Sequence, residues 1–167
     1  DEQGNDLRDQ PGVHGEAVYR SPAIFSGYYG DQEATEEALR GGWMHSGDTF
    51  TYDEQGQRIM VDRYKDMVKS GGENVSSIRV EAVLHQHRSI QRAAVIGVAD
   101  DTWGEMVTAC VILVPDHDLD EAEVIAFARE RLAGFETPKR IIAVDSFPET
   151  VGGKILKYKL RAELNKT

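Results

Sequence analysis

The side chains most able to do chemistry lie in short segments around Asp48, Arg63, Gly72 and Lys154. Asp48 stands at the entrance of a predicted hairpin, where a fixed carboxylate could accept hydrogen bonds from both hydroxyls of a ribose. The alternative is a turn aspartate that satisfies backbone N–H groups. Arg63 ends the second hairpin strand, and its planar guanidinium could reach ribose or phosphate oxygen. Its alternative is an exposed charge at a strand end.

The two other segments combine glycines with polar residues. Gly71 and Gly72 permit positive φ or the close approach of a ligand to the main chain, although a turn that only connects two elements is the common alternative. Lys154 follows Gly152-Gly153, a flexible loop from which an ammonium could approach negative charge on phosphoryl oxygens. Taken alone, Lys154 would more readily be a solvated lysine in a basic tail that runs to Arg161.

In this order, the segments resemble the final third of the adenylate-forming enzymes, which include acyl-CoA synthetases, firefly luciferases and the adenylation domains of peptide synthetases. The segments are Trp43-Met44-His45-Ser46-Gly47-Asp48, Asp62-Arg63-Tyr64-Lys65-Asp66, Gly71-Gly72-Glu73-Asn74-Val75 and Pro148-Glu149-Thr150-Val151-Gly152-Gly153-Lys154. The resemblance covers nearly the whole chain and is strongest to fatty-acyl and related CoA ligases. Ser46 replaces the commoner Thr and Asp62 a frequent Gly, and neither change should disturb the chemistry.

The resemblance implies a reaction in two steps. An enzyme of this family joins a carboxylic acid to the α-phosphate of ATP in the presence of Mg²⁺, then transfers the acyl group to CoA. Its small C-terminal domain turns on a hinge between the steps. The implied roles are nucleotide binding for Asp48 and Arg63, the hinge for Lys65, CoA binding for Gly71 and Gly72, and catalysis of adenylation for Lys154. Lys69 matches a lysine that luciferases use in their second conformation and that many relatives lack.

Composition excludes several other classes of function. The net charge of −10 argues against a nucleic-acid partner, which needs a basic surface. Cys110 is the only cysteine, so no internal disulfide is possible, and no metal site is predicted from the His and Cys spacing. The sequence shows no apolar stretch as long as a membrane span and no signal peptide, so a cytoplasmic protein is the default expectation.

The hydrophobic pattern predicts an α+β chain, and the resemblance implies that it has three parts. Residues 1–62 should form the β-rich edge of a large domain, with a strand at 16–20, a helix at 32–39 and a hairpin that joins 49–52 to 58–62. Residues 63–65 should be the hinge. Residues 66–167 should form a small C-terminal lid domain, whose three-stranded sheet is packed by helices.

Within the lid domain, strands are predicted at 93–98, 106–114 and 140–144. The second is a nearly continuous apolar run, which indicates burial on both faces. Helices are predicted from a cap at Ser77 to about Gln86, from Asp120 onwards, and near the C-terminus. The last helix should carry Leu156, Leu160 and Leu164 as an apolar stripe below a basic face.

The sequence lacks the Gly-rich phosphate loop and the Tyr-Gly-x-Thr-Glu segment of the family's large N-terminal domain, which would hold most of the ATP and Mg²⁺. Because the chain also begins at Asp1 without an initiating Met, we expect a C-terminal fragment. It should need its own N-terminal domain as partner and be inactive alone. The expected substrate is a carboxylic acid, with a fatty acid favoured. Two alternatives stay open: a stand-alone, non-catalytic interaction module, and an adenylating relative with a different acceptor.

Overall fold

The computed structural model describes residue 1 and residues 3–165, which form two compact units. The first unit ends at Lys65 and the second begins at Asp66. This division falls inside a short 3₁₀ turn, Tyr64–Asp66. The predicted α+β class is confirmed, because each unit contains both helix and antiparallel strands.

The first unit is built on three antiparallel strands in the order β1-β2-β3. Its elements are β1 (Gly15–Tyr19), α1 (Gln32–Ala38), β2 (Met44–Tyr52) and β3 (Arg58–Arg63). The predicted hairpin is confirmed, since β2 and β3 pair from Tyr52↔Arg58 to Asp48↔Arg63. Its loop is shaped by Asp53, whose Oδ1 accepts hydrogen bonds from the main-chain N–H groups of Gln55 and Gln57.

The second unit contains five strands and three helices in the described part of the chain. Its elements are β4 (Val68–Ser70), β5 (Glu73–Val75), α2 (Ser77–Leu84), β6 (Ile90–Asp100), β7 (Gly104–Leu113), α3 (Glu121–Arg129), β8 (Arg140–Ala143) and α4 (Lys157–Leu164). Strand β7 is central. It pairs with β6 along one edge, and with β4 and then β8 along the other.

The prediction of a three-stranded sheet is wrong, because β4 and β5 form an additional hairpin on it. Each of these strands has only three residues, too few for alternation of apolar and polar side chains to be recognised. A single pairing, Ser70↔Gly104, joins β4 to the start of β7. The other strands, β6, β7 and β8, are those the sequence predicts.

Both faces of β7 are covered, as its apolar run predicts. One face packs in a core with α2 and α3, which contribute Val80, Leu84, Val124 and Ala128. The other face packs against α4, and Cys110 lies there as a buried core residue beside Phe147 and Leu160. Each larger aliphatic side chain in these cores stabilises the unit by about 1.5–3 kcal/mol through its burial.

Of the two predicted helix caps, Asp120 is correct and Ser77 is wrong. Asp120 opens α3 as predicted, accepting a hydrogen bond from the N–H of Glu123 at 3.0 Å. Ser77 is not the cap of α2, because Ser76 fills that position and accepts from the N–H of Arg79. Adjacent serines cap equally well by type, so the packing of the helix decides between them. Helix α2 also ends at Leu84 rather than near residue 86.

Candidate functional site

Asp48 and Arg63 face each other across the hairpin of the first unit. They are directly paired in the register of β2 and β3, and Arg63 Nε lies 3.7 Å from Asp48 Oδ1. Their side chains are 31% and 40% exposed, respectively. This separation is longer than a hydrogen bond, so the carboxylate and the guanidinium both keep polar capacity for a ligand.

The turn before Asp48 is stabilised by Ser46 and not by the aspartate. Ser46 Oγ donates to the carbonyl of Ala17 at 2.6 Å and accepts from the N–H of Asp48 at 3.1 Å. Among the described residues, no backbone N–H donates to the Asp48 carboxylate. The alternative reading of Asp48 as a turn residue is therefore not what the structure shows.

Glu16 is a structural partner of this turn that the sequence does not reveal. Its Oε1 accepts from the N–H of Gly47 at 2.9 Å, while its Oε2 lies 2.6 Å from His45 Nδ1 and 3.2 Å from a nitrogen of Arg40. Partial burial alone would raise the pKa of Glu16, but the His45 ring, the Gly47 N–H and the Arg40 charge outweigh it and lower this pKa. Glu16 thus holds Gly47, the glycine at φ +69° next to Asp48.

Lys65 lies at the end of the first unit, exposed within the 3₁₀ turn Tyr64–Asp66. The next residue, Asp66, belongs to the second unit and lies 3.7 Å from a guanidinium nitrogen of Arg161 on α4. A change of φ and ψ at one or two residues is enough for a hinge. The hinge at Lys65 stays a prediction.

The glycine pair forms the turn between β4 and β5, with φ values of +61° at Gly71 and +86° at Gly72. A two-residue hairpin of this kind needs positive φ at both positions. Gly71 also donates its N–H to the carbonyl of Trp103, and a Cβ there would stand 3.1 Å from the Trp103 ring. Packing therefore explains the absence of a side chain at Gly71. At Gly72 a Cβ would meet no described atom within 4 Å, so only its φ restricts it.

The residues around this turn add a cation and an aromatic face. Trp103 packs against Gly71, yet remains 39% exposed. Lys139 Nζ lies 5.3 Å from the centre of its ring, within the range of a cation–π interaction. Lys69, on β4, donates its backbone N–H to Glu105 at 2.7 Å, and the residue is exposed.

Lys154 is displayed by a small hairpin. The N–H of Thr150 donates to the Lys154 carbonyl, and its hydroxyl accepts from the Lys154 N–H, at 2.9 and 3.1 Å. Gly153, at φ +77°, completes the turn. The backbone of Lys154 is thus ordered, while its side chain is exposed and bonded to none of the described residues.

The alternative for Lys154 assumes a solvated basic tail up to Arg161, but that tail is not uniformly exposed. Lys157 Nζ lies 2.6 Å from Glu81 Oε1 and 2.6 Å from Ser77 Oγ, and its side chain is only 13% exposed. Arg161 faces Asp66. Within residues 154–161, the exposed lysines are Lys154 and Lys159.

The structure brings the predicted residues together in three groups. Asp48 and Arg63 form one group in the first unit; Lys69, Gly71 and Gly72 share a hairpin of the second unit, and Lys154 has a hairpin of its own. The described residues include no group of three or more His, Cys, Asp or Glu that could hold a metal ion.

The chain is similar in sequence and in fold to known proteins. Residues 79–154 match the AMP-binding enzyme C-terminal domain. Feruloyl-CoA synthase from an Amycolatopsis species is 45% identical over 151 residues, which are 90% of this chain and 31% of that protein. The amide bond synthetase McbA from Marinactinospora thermotolerans matches with a TM-score of 0.83 at 39% identity, over 98% of this chain and 33% of that one.

A third relative was solved with a reaction intermediate. The o-succinylbenzoate CoA synthetase MenE from Bacillus subtilis, in complex with its acyl-adenylate, matches with a TM-score of 0.80 at 31% identity. The match covers 91% of this chain and 31% of that one. The chain therefore spans about a third of the length of these relatives. Residues 79–154 are thus the part of the chain that matches the AMP-binding enzyme C-terminal domain, and the similar curated proteins include acyl-CoA ligases.

Proposed function

We propose that the chain is the C-terminal part of an ATP-dependent acyl-CoA ligase, which adenylates a carboxylic acid and then forms a thioester with CoA. The observation that carries the proposal is the placement of Lys154. Its backbone is ordered by Thr150, while its ammonium is exposed and bonded to none of the described residues. A cation held in this way is suited to a negatively charged ligand.

Asp48 and Arg63 supply the groups that a nucleotide needs. The carboxylate would accept hydrogen bonds from the two ribose hydroxyls, and the guanidinium would donate to a ribose or phosphate oxygen. Because their own contact is 3.7 Å long and both side chains are partly exposed, ligand binding replaces no strong internal bond.

In the first step, an oxygen of the substrate carboxylate attacks the α-phosphorus of ATP. A new P–O bond forms, and the bond to pyrophosphate breaks. Lys154 would stabilise the negative charge on the phosphoryl oxygens, a contribution of the kind whose removal costs about 10²–10³ in rate. Mg²⁺ would neutralise part of the triphosphate charge when bound, and no ligand for it is assigned to this chain.

In the second step, the CoA thiol loses its proton, its sulfur attacks the acyl carbon, and AMP leaves with the bonding electrons. Gly72 suits the passage of the pantetheine arm, because its Cβ position is open in the described structure. Gly71 would contribute by holding the turn against Trp103.

Lys65 would be the hinge on which the C-terminal domain turns between the two steps. The proposed domains are therefore residues 1–62, the hinge 63–65 and residues 66–167. Lys69 is the candidate lysine for the second conformation.

The acid is proposed only as a class. The similar proteins are named for feruloyl and o-succinylbenzoate groups, so a carboxylic acid is the common element and a fatty acid is the finer candidate. The partner would be the protein's own N-terminal domain, and the cytoplasm its proposed location. No helix in the described part of the chain is long and apolar enough to cross a membrane.

The test uses the full-length protein that contains this chain. Acid-dependent exchange of labelled pyrophosphate into ATP, with a panel of fatty and aromatic acids, measures adenylation. AMP release on adding CoA measures the second step. Lys154→Ala should lower the exchange by about 10²–10³, and the exposed lysine variant Lys159→Ala should not change it. Equal exchange in Lys154→Ala and the parent protein would refute the assignment.

The likeness to an amide bond synthetase favours a second candidate, in which an amine replaces CoA as acceptor. Exchange would then be normal, and an amine rather than CoA would trigger AMP release. A non-catalytic interaction module would show no acid-dependent exchange with any acid of the panel.

A further inference from the structure

The hairpin that carries Lys154 is attached to strand β6 at both of its ends. Before the turn, Glu149 forms an ion pair with Arg92 of β6, and the Arg92 guanidinium lies 5.3 Å from the centre of the Phe147 ring. After the turn, Lys157 pairs with Glu81 of α2, whose Oε1 also accepts a hydrogen bond from the N–H of Val95 in β6.

The anchor after the turn is nearly buried and well satisfied. The side chains of Lys157 and Glu81 are 13% and 16% exposed. The ammonium has two partners at 2.6 Å, Glu81 Oε1 and the hydroxyl of Ser77, and Ser77 is fully buried. The carboxylate oxygen accepts from both Lys157 and the Val95 N–H. These contacts define one position for the first residue of α4.

Stability alone does not account for this anchor. Removing two charges from water is costly, and well-packed apolar residues of the same volume often make a protein as stable or more stable. An apolar contact, however, is non-directional, whereas an ammonium that must meet a carboxylate and a hydroxyl fixes its own position. The ion pair therefore restricts the position of Lys157 more closely than an apolar contact would.

Lys154 is close to Lys157 along the chain, so a fixed position of Lys157 also restricts where Lys154 lies. Lys157 is three positions further along the chain, a reach of at most about 10 Å even when fully extended. The intervening backbone is also fixed, since Leu156 donates its N–H to the Pro148 carbonyl at 2.8 Å and Ile155 bridges to Glu149. The Lys154 side chain projects from a frame fixed on either side.

We propose that Lys157 and Glu81, with Arg92 and Glu149 on the other side, are positioning residues that set where the Lys154 ammonium is presented. The inference rests on the proposed role of Lys154 in adenylation. The four residues would then act in that step alone, because the proposed function gives Lys154 no part in the thioester step.

The experiment uses the full-length protein and three variants. Lys157→Met removes the ammonium and keeps the length of the side chain. Glu81→Gln keeps an oxygen for the Val95 N–H and removes the charge. Lys159→Met changes an exposed lysine of the same helix and serves as the control. Pyrophosphate exchange and thioester formation from supplied acyl-adenylate are measured on each preparation.

We expect the first two variants to lower kcat for adenylation by about 10- to 100-fold, the loss caused by a displacement of about 1 Å in a catalytic group. KM for ATP and the thioester rate should stay within about twofold of the parent protein, because the lost interaction acts only in the adenylation transition state. The control should match the parent in all three quantities.

A second measurement separates positioning from general support of the fold. In a Lys154→Ala background, Lys157→Met should cause no further loss of adenylation, because it acts only through Lys154. With Lys154 intact, Lys157→Arg should keep more of the adenylation rate than Lys157→Met does. Should Lys157→Met fail to fold, the partly exposed Glu149→Gln makes the same test, with a smaller expected loss confined to adenylation.

Equal losses in the adenylation and thioester steps, or a further loss in the Lys154→Ala background, would overturn the proposal. So would unchanged adenylation in Lys157→Met when Lys154→Ala abolishes it. These results differ from a failure of the proposed function, in which the parent protein itself shows no acid-dependent exchange.

Discussion

Replacing Gly71 and Gly72 separately by alanine should give two different losses of stability in the second unit. Both residues have positive φ, at +61° and +86°, and a Cβ in this region costs roughly 1–2 kcal/mol. Alanine recovers about 0.4–1 kcal/mol by restricting the unfolded chain. The backbone term alone therefore predicts a net loss of about 1 kcal/mol for either variant.

Gly71→Ala carries an additional cost. Its Cβ would stand 3.1 and 3.3 Å from two atoms of the Trp103 ring, whereas a Cβ at Gly72 meets no described atom within 4 Å. The ring would have to move by a few tenths of an ångström. Trp103 is also held by its carbonyl, which accepts from the Gly71 N–H at 2.8 Å, and by Lys139 over its face. We expect about 1 kcal/mol more, within the range for overpacking.

Urea unfolding of the 167-residue chain measures both losses. The chain has two tryptophans, one in each unit, so a Trp43→Phe background makes the fluorescence report on Trp103 alone. Gly72→Asn serves as a control for the backbone term and should cost less than Gly72→Ala, because asparagine tolerates positive φ. Equal losses at the two glycines, or a larger loss at Gly72, would refute the assignment of Gly71 to packing against Trp103.

Three further outcomes follow from individual contacts. Asp120→Ala should destabilise the second unit by about 1 kcal/mol in urea unfolding, because the N–H of Glu123 loses its capping acceptor; no loss would show that the cap is not formed. Since contacts with His45 and Gly47 lower the pKa of Glu16, its contribution to stability is present above the ordinary glutamate pKa of about 4.3 and is lost as pH falls below it. Glu16→Gln should therefore destabilise the first unit at pH 7 and weaken its acid dependence, and identical pH profiles would contradict this. Burial raises the pKa of the Cys110 thiol to about 11, so a thiol reagent at pH 8 should react only after denaturant is added, and rapid labelling of the folded chain would refute it.

Residues whose role depends on local chemistry were predictable from the sequence. The hairpin of the first unit is indicated by the loop that ends in Gly56, and Asp120 by its place before an apolar helical face. The burial of β7 on both faces followed from its continuous apolar run. In each case, a few neighbouring residues contain the whole signal.

Contacts between distant parts of the chain were not predictable in this way. Glu16 holds Gly47 from 31 positions away, and Lys157 meets Ser77 across 80 positions. Nothing in the local sequence distinguishes Lys157 from Lys159, yet packing buries one and leaves the other exposed. The hairpin of β4 and β5 was missed for a different reason, since its strands are too short to show a period.

The structure also separates residues that the fold requires from residues that it does not. Gly71, Ser46 and Lys157 each have an internal partner or a packing constraint that accounts for their side chains. Lys154 differs, because its exposed ammonium is bonded to none of the described residues, and its removal would leave every described packing contact of the core in place. An interaction module that kept only the shape would have no structural use for a lysine at this position. The fold does not need the Lys154 side chain, yet an ordered hairpin presents it. This favours the ligase over the interaction module.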